Sequence, residues 1–140
     1  MLQGFPTIEY MFDIEAYANT LGITVAYRPL PDHLPPAWWN PRSKTITVRK
    51  GLPRRKVRSL IAHELGHAHY GHTISTPKAE RQADQYAARL LISEDDYRAT
   101  EVAYGTNVEK LAFELDVTPN IIEAWRTLHE RPKIYDDQRY

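Results

Sequence analysis

Cysteine is absent from this chain. That excludes disulfides and any thiolate metal site, and it fits a reducing compartment. Net charge is absent as well: 18 Lys and Arg stand against 18 Asp and Glu, so no global field draws the protein to nucleic acid or to a membrane. No apolar run approaches the roughly 20 residues that a bilayer-crossing helix needs. The segment from Met1 to Phe12 lacks the basic-then-apolar order of a signal peptide. The expectation is a cytoplasmic protein without a membrane partner.

What is present is an ordinary globular composition, 42% apolar and 26% charged over 140 residues, enough for one buried core. Residues 1–130 are expected to form a single domain and 131–140 a polar tail. No internal repeat or low-complexity segment interrupts the chain.

Apolar spacing predicts a helix over Ile8–Thr20, stopped at Gly22. Ile23–Tyr27 alternates and is β-branched, and Thr45–Arg49 alternates with Ile46 and Val48 on one face, so both read as strands. Ala37–Trp39 is a shorter extended candidate, set off by four prolines between Pro29 and Pro36 and by a turn at Asn40-Pro41. Short connections suggest a small antiparallel sheet. Pro53 then opens a helix to about Tyr70 with Gly71 as its stop. A second helix is predicted over Lys78–Leu91, and two short ones over Val108–Leu115 and Pro119–Leu128. The fold class is α+β: helices beside a small antiparallel sheet, with a C-terminal helix pair at 107–128.

His63-Glu64-Leu65-Gly66-His67 matches HExxH inside the predicted long helix. Residues at i and i+4 lie one turn apart on one helix face, so both imidazoles can reach one cation. The carboxylate of Glu64 edges the same face. Zinc prefers such nitrogen and oxygen donors and, at catalytic sites, leaves one position to water. Gly66 has no side chain, which lets another element approach the back of the helix.

A third protein ligand is needed. Glu80, at the start of the next helix, is the first candidate and His72 the other. The longer zinc pattern with a glycine at 70 and a third histidine at 73 is not met, because those positions hold Tyr70 and Thr73. Asp84 lies one turn beyond Glu80, placed to accept the free ring N–H of a ligating histidine. His69 and His72 read more simply as solvent-facing or supporting groups. Tyr70 and Tyr86 are candidates to bond a developing oxyanion, with aromatic packing as the plainer role.

His63–His67 followed by Glu80-Arg-Gln-Ala-Asp84-Gln-Tyr-Ala-Ala-Arg-Leu-Leu91 resembles the ImmA/IrrE metallopeptidases. In that family an HELGH helix precedes a helix of pattern E-x-x-A-[ND]-x-F-A-x-x-L-L-x-P. Tyr86 stands for the usual Phe, and Ile92-Ser93 for the usual Met-Pro, which leaves the end of that helix open. The resemblance implies a zincin-like helix pair with Zn2+ on His63, His67 and Glu80, and Glu64 as catalytic base. It also implies a cytosolic endopeptidase, often encoded by phages or mobile elements, that cleaves a helix-turn-helix transcriptional repressor.

The alternative is a DNA- or repressor-binding module that uses this scaffold without proteolysis. Asn107–Leu128 has helix-turn-helix spacing, with Thr118 expected to cap the second helix and Pro119 at its first position. That helix offers Asn120, Glu123 and Glu130 but only Arg126 as a cation, which is poor for phosphate contact. The run Arg49, Lys50, Arg54, Arg55, Lys56 and Arg58 is the better candidate for an acidic partner, and a solvated face is its plainer reading. For a peptide substrate, Thr45–Arg49 and Ala37–Trp39 are the candidate sheet edges.

Overall fold

The computed structural model describes residues 12–130. In chain order the elements are α1 (Ile14–Thr20), β1 (Thr24–Arg28), β2 (Ala37–Asn40), β3 (Thr45–Arg49), α2 (Arg54–Tyr70), α3 (Pro77–Leu91), α4 (Glu94–Tyr104), α5 (Val108–Leu115) and α6 (Pro119–His129). The class is α+β, with a C-terminal helix pair formed by α5 and α6.

Strand order is β1-β3-β2, with β3 antiparallel to β2 and parallel to β1. The antiparallel expectation therefore holds for β2–β3 and fails for β1–β3. The proline-rich connection carries the chain past the central position to the far edge. A tight turn then brings it back: Asn40 Oδ1 accepts from the backbone N–H groups of Arg42 and Ser43 at 2.9 and 3.2 Å. Two reversals lie between β1 and β3, one on each side of β2, so the two run the same way. This makes Thr45–Arg49 the centre of the sheet rather than an edge, and leaves Ala37–Asn40 as an edge strand.

Local chemistry sets most helix ends. Asp13 accepts from the N–H groups of Glu15 and Ala16 and so starts α1. Phe12 lies outside that helix, and the expected start at Ile8 falls outside the described residues, as does the tail 131–140. Pro53 precedes α2, and Gly71, at φ 69°, ends it. Helix α3 ends at Leu91, and Ser93 caps α4, a helix not foreseen from the sequence. The acidic step Glu94–Asp96 is its first turn, where negative charge meets the positive end of the helix dipole. Thr118 stands at the cap position of α6 but makes no capping bond. Its hydroxyl donates to Asn120 Oδ1 at 2.6 Å instead.

One apolar cluster runs from Ile14 in α1 through Ile46, Ile61 and Leu65 to Ile121, Ile122 and Trp125 in α6. Most of the basic run is committed to holding this structure together. Arg49 donates to the carbonyls of Pro31 and Leu34 in the proline-rich connection. Buried Arg58 donates to the Asp116 carbonyl at 2.6 Å, and Arg54 pairs with the Asp116 carboxylate at 2.6 Å. Arg55 lies over the ring of Phe113. The turn between α5 and α6 is thereby bound to the start of α2.

Helices α2 and α3 meet most closely at Gly66. A methyl group there would lie 2.7 Å from Ala83 Cα and 2.9 Å from its carbonyl oxygen, too near for backbone that cannot swing away. Gly66→Ala is therefore expected to destabilise the protein by about 1–3 kcal/mol through overpacking, despite a helix propensity that favours alanine by about 1 kcal/mol. Urea unfolding checks this, and an unchanged or raised stability refutes the close contact.

Candidate metal centre

Four of the five residues singled out by the motif and the following helix converge directly. His63 and His67 project from adjacent turns of α2, and Glu80 and Asp84 from adjacent turns of α3 on one flank of Ala83. His63 Nε2 lies 2.9 Å from Glu80 Oε1, and His67 Nε2 lies 3.3 Å from Glu80 Oε2. The two Nε2 atoms are 3.1 Å apart. Ligand atoms of His63, His67 and Glu80 thus lie within 4.8 Å of one another and could hold a metal ion. His72 is not on this side: its Nδ1 is 3.0 Å from Nδ1 of His67, the nitrogen that faces away from Glu80.

The donor set fits a cation on its own chemistry. Asp84 Oδ1 is 2.7 Å from His63 Nδ1. A carboxylate only accepts, so this nitrogen carries the hydrogen and, in the neutral ring, Nε2 is a bare lone pair. That lone pair faces a second imidazole nitrogen and a carboxylate. Such a cluster of acceptors is stable only around a shared positive charge, either a proton or a metal ion. Two imidazoles and one carboxylate are the borderline donors that suit zinc-like divalent ions.

The surrounding groups have shifted proton affinities. For His63, burial acts to lower the pKa, but the hydrogen bond and charge of Asp84, aided by Glu64 and Glu80, raise it above the ordinary value. His67 is lowered by burial and by the neighbouring His63, against the pull of Glu80. Glu80 is lowered: burial opposes this, but the Ser75 hydroxyl and both histidines favour its charged form. Ser75 donates to Glu80 Oε2 at 2.9 Å.

Glu64 is the fifth of the predicted residues. It is 8% exposed, and burial pushes its pKa up to about 7, against the opposing pull of His63 and a backbone hydrogen bond from Trp39. The cleft over these groups, about 530 Å³, is also lined by Trp38, Lys56, Ser59, Thr118 and Asn120. Trp38 belongs to the substrate edge Ala37–Trp39 expected from the sequence, and the other four were not assigned to the site. Lys56 had a legible signal, since positions 56, 60, 63 and 67 share a helix face. Asn120 had none. It arrives from α6 and donates to Asp84 Oδ1 at 3.3 Å.

Tyr70 and Tyr86 do not line this cleft. Tyr70 stacks on His72. Tyr86 bonds Tyr17, which with burial pushes its phenol up to about 12, and it lines a separate apolar cavity with His69. Arg126, the cation of the supposed recognition helix, donates to the Tyr97 hydroxyl at 2.8 Å and to the Thr106 carbonyl. Helix α6 turns Ile121, Ile122 and Trp125 into the core.

The raised Glu64 carboxyl has a consequence for metal-free protein. Folded, it keeps its proton up to about pH 7, whereas its ordinary value is 4.5. Its contribution to stability is therefore complete below pH 4.5 and is lost as pH rises through 7. Glu64→Gln removes this loss. In metal-free protein the variant should gain on wild type by about 2–3 kcal/mol between pH 5 and 8, at roughly 1.4 kcal/mol per pKa unit. Thermal unfolding at the two pH values checks the sign, and an advantage that does not grow with pH contradicts it.

Among the described residues, no helix is long and apolar enough to cross a membrane. A search of curated proteins returned no match. A family model described as the IrrE N-terminal-like domain, Peptidase_M78, matches residues 18–124. That span contains all of α2 and α3 and reaches into α6. With the family of the match named for peptidases and a His-His-Glu cluster able to hold a metal, the chain belongs to the Peptidase_M78 family and is of metallopeptidase type.

Proposed function

We propose that the protein is a zinc-dependent endopeptidase. His63, His67 and Glu80 hold the ion, Asp84 orients His63, and Glu64 is the proton-transfer group. The observation that carries this reading is the convergence of two imidazole lone pairs and a carboxylate beside a second, buried carboxyl group. Residues 1–130 are taken as one catalytic domain, a reading supported among the described residues by the single apolar cluster that joins α1 to α6.

Zinc bound there supplies Lewis acidity, which acidifies water and polarises the scissile carbonyl. The chain's own groups do the rest. Glu64 takes a proton from the attacking water as oxygen bonds to the carbonyl carbon, then gives it to the departing amine as the C–N bond breaks. Burial supports this role, since in the metal-free protein it raises the proton affinity of Glu64, the direction that suits a proton acceptor.

Strand β2 is the edge against which a peptide would align. The Arg49 N–H donates to the Pro36 carbonyl. Alternation along the antiparallel ladder then turns the backbone groups of Ala37 and Trp39 outward, away from β3. The bond from Trp39 N–H to Glu64 agrees with that phase. An extended substrate added here would run beside the metal cluster.

For the substrate we infer a helix-turn-helix transcriptional repressor, met in the cytoplasm. This rests on the likeness to ImmA/IrrE proteins. The test is incubation with the repressor encoded nearest the gene, with and without a chelator, read by mass. Glu64→Gln should keep one zinc per chain and lose cleavage by at least about 100-fold, whereas His63→Ala and Glu80→Ala should lose the metal. Retained cleavage in Glu64→Gln removes the base assignment, and cleavage that survives the chelator removes the metal reading.

A further inference from the structure

The outer nitrogen of His67 does not pair with a carboxylate. It meets another imidazole. His67 Nδ1 is 3.0 Å from His72 Nδ1, and His72 Nε2 is 2.8 Å from Gln82 Oε1. The fold builds this arrangement deliberately. Gly71 takes the left-handed conformation just past α2, which turns the chain back so that the His72 N–H reaches the His67 carbonyl at 3.0 Å. The Tyr70 ring then stacks on His72, with planes 15° apart. Gln82 comes from the flank of Ala83 opposite to Glu80 and Asp84.

One placement of hydrogens satisfies every atom of this chain. An amide oxygen only accepts, so His72 Nε2 carries the hydrogen. A neutral His72 then has a bare Nδ1, which accepts from Nδ1–H of His67. That fixes the His67 hydrogen on the outer nitrogen and leaves Nε2 as a lone pair facing His63 and Glu80. Run in the opposite sense, the same contacts would put a hydrogen on His67 Nε2 and close it to any metal. We propose that His72 and Gln82 are positioning residues that hold His67 in its metal-binding tautomer, as Asp84 does for His63. The proposal rests on His63, His67 and Glu80 being the ligands.

The test uses Zn2+ alone as probe, in competition with a chromophoric chelator, so no cleavage assay is needed. Loss of such a supporting partner typically weakens metal affinity by about 10–100-fold. His72→Leu is expected to do so, as is Gln82→Leu to a smaller extent. His72→Asn, whose side-chain oxygen can stand at the Nδ1 position, should return the affinity to within about threefold of wild type. A merely space-filling His72 would not distinguish leucine from asparagine in that order. In zinc-loaded wild type, long-range proton–nitrogen NMR of labelled histidine should place the His72 hydrogen on Nε2.

Wild-type affinity in His72→Leu, or a His72 hydrogen found on Nδ1, overturns the proposal while leaving the metal reading intact. A wild-type chain that takes up no zinc overturns both. If His72→Leu fails to fold, the NMR assignment in wild type and the affinity of His72→Asn still decide the matter.

Discussion

The site depends on how closely two helices can approach. At Gly66 the α2 backbone lies against Ala83 with no room for a methyl group between them. Everything polar is hung on the flanks of that contact. Glu80 and Asp84 sit to one side, facing His63 and His67, and Gln82 sits to the other, facing His72. A carboxylate reaches only a few ångströms from its backbone. A wider separation, forced by a larger residue at either position, would carry Glu80 away from the imidazoles and Asp84 from His63 together. The buried alanines Ala79, Ala83, Ala87 and Ala88 give α3 a slim face for this approach.

The same closeness gathers groups that would be costly to leave alone. Glu64, Glu80 and Asp84 surround two imidazoles in a partly dry cleft, where burial makes Glu64 resist ionisation while the Ser75 hydroxyl and the histidines favour the charged form of Glu80. Acceptors that face one another destabilise a fold unless a positive charge sits among them. Cation binding relieves that cost, so metal affinity and folding stability are coupled at this point. The apolar cluster beneath, with Ile61 and Leu65 fully buried one helix face away from the histidines, holds the groups in place before any ion arrives.

Much of this was legible in the sequence because it is periodic and local. HExxH inside an amphipathic helix fixes the relative phase of His63 and His67, and Glu80-x-x-x-Asp84 does the same on the next helix. Helix ends at Pro53 and Gly71 followed from capping chemistry. Pairing across the sheet did not follow, since the proline-rich connection reveals nothing of the side of β3 on which it will deliver β2. Helix α4 was missed because its apolar face is thin: Tyr97 is its one buried residue and Val102 is 84% exposed. The roles of Gln82 and Asn120 were invisible for a different reason. Each depends on a contact, with the loop after α2 or with α3, between elements whose relative placement no local pattern encodes. Thr118, chosen as a cap from its position, turned its hydroxyl to Asn120 instead.

The basic run and the C-terminal helix pair explain each other. Taken singly, six cations between Arg49 and Arg58 suggest an acidic partner, and α5–α6 suggests a reader of DNA. In the folded chain Arg54 and Arg58 close on Asp116, the left-handed residue that turns α5 into α6. The Thr118 N–H donates to Ser59 one turn before His63. Asn120 then reaches Asp84, the carboxylate that orients His63. Arg54, Arg55 and Arg58 are thus spent on docking the helix pair, and the docked pair supplies a brace for a supporting residue of the site. With Arg126 engaged by Tyr97 and Thr106, α6 keeps no arginine to offer a phosphate. The C-terminal pair is better understood as the wall of the metal cleft opposite β2 than as a separate binding module.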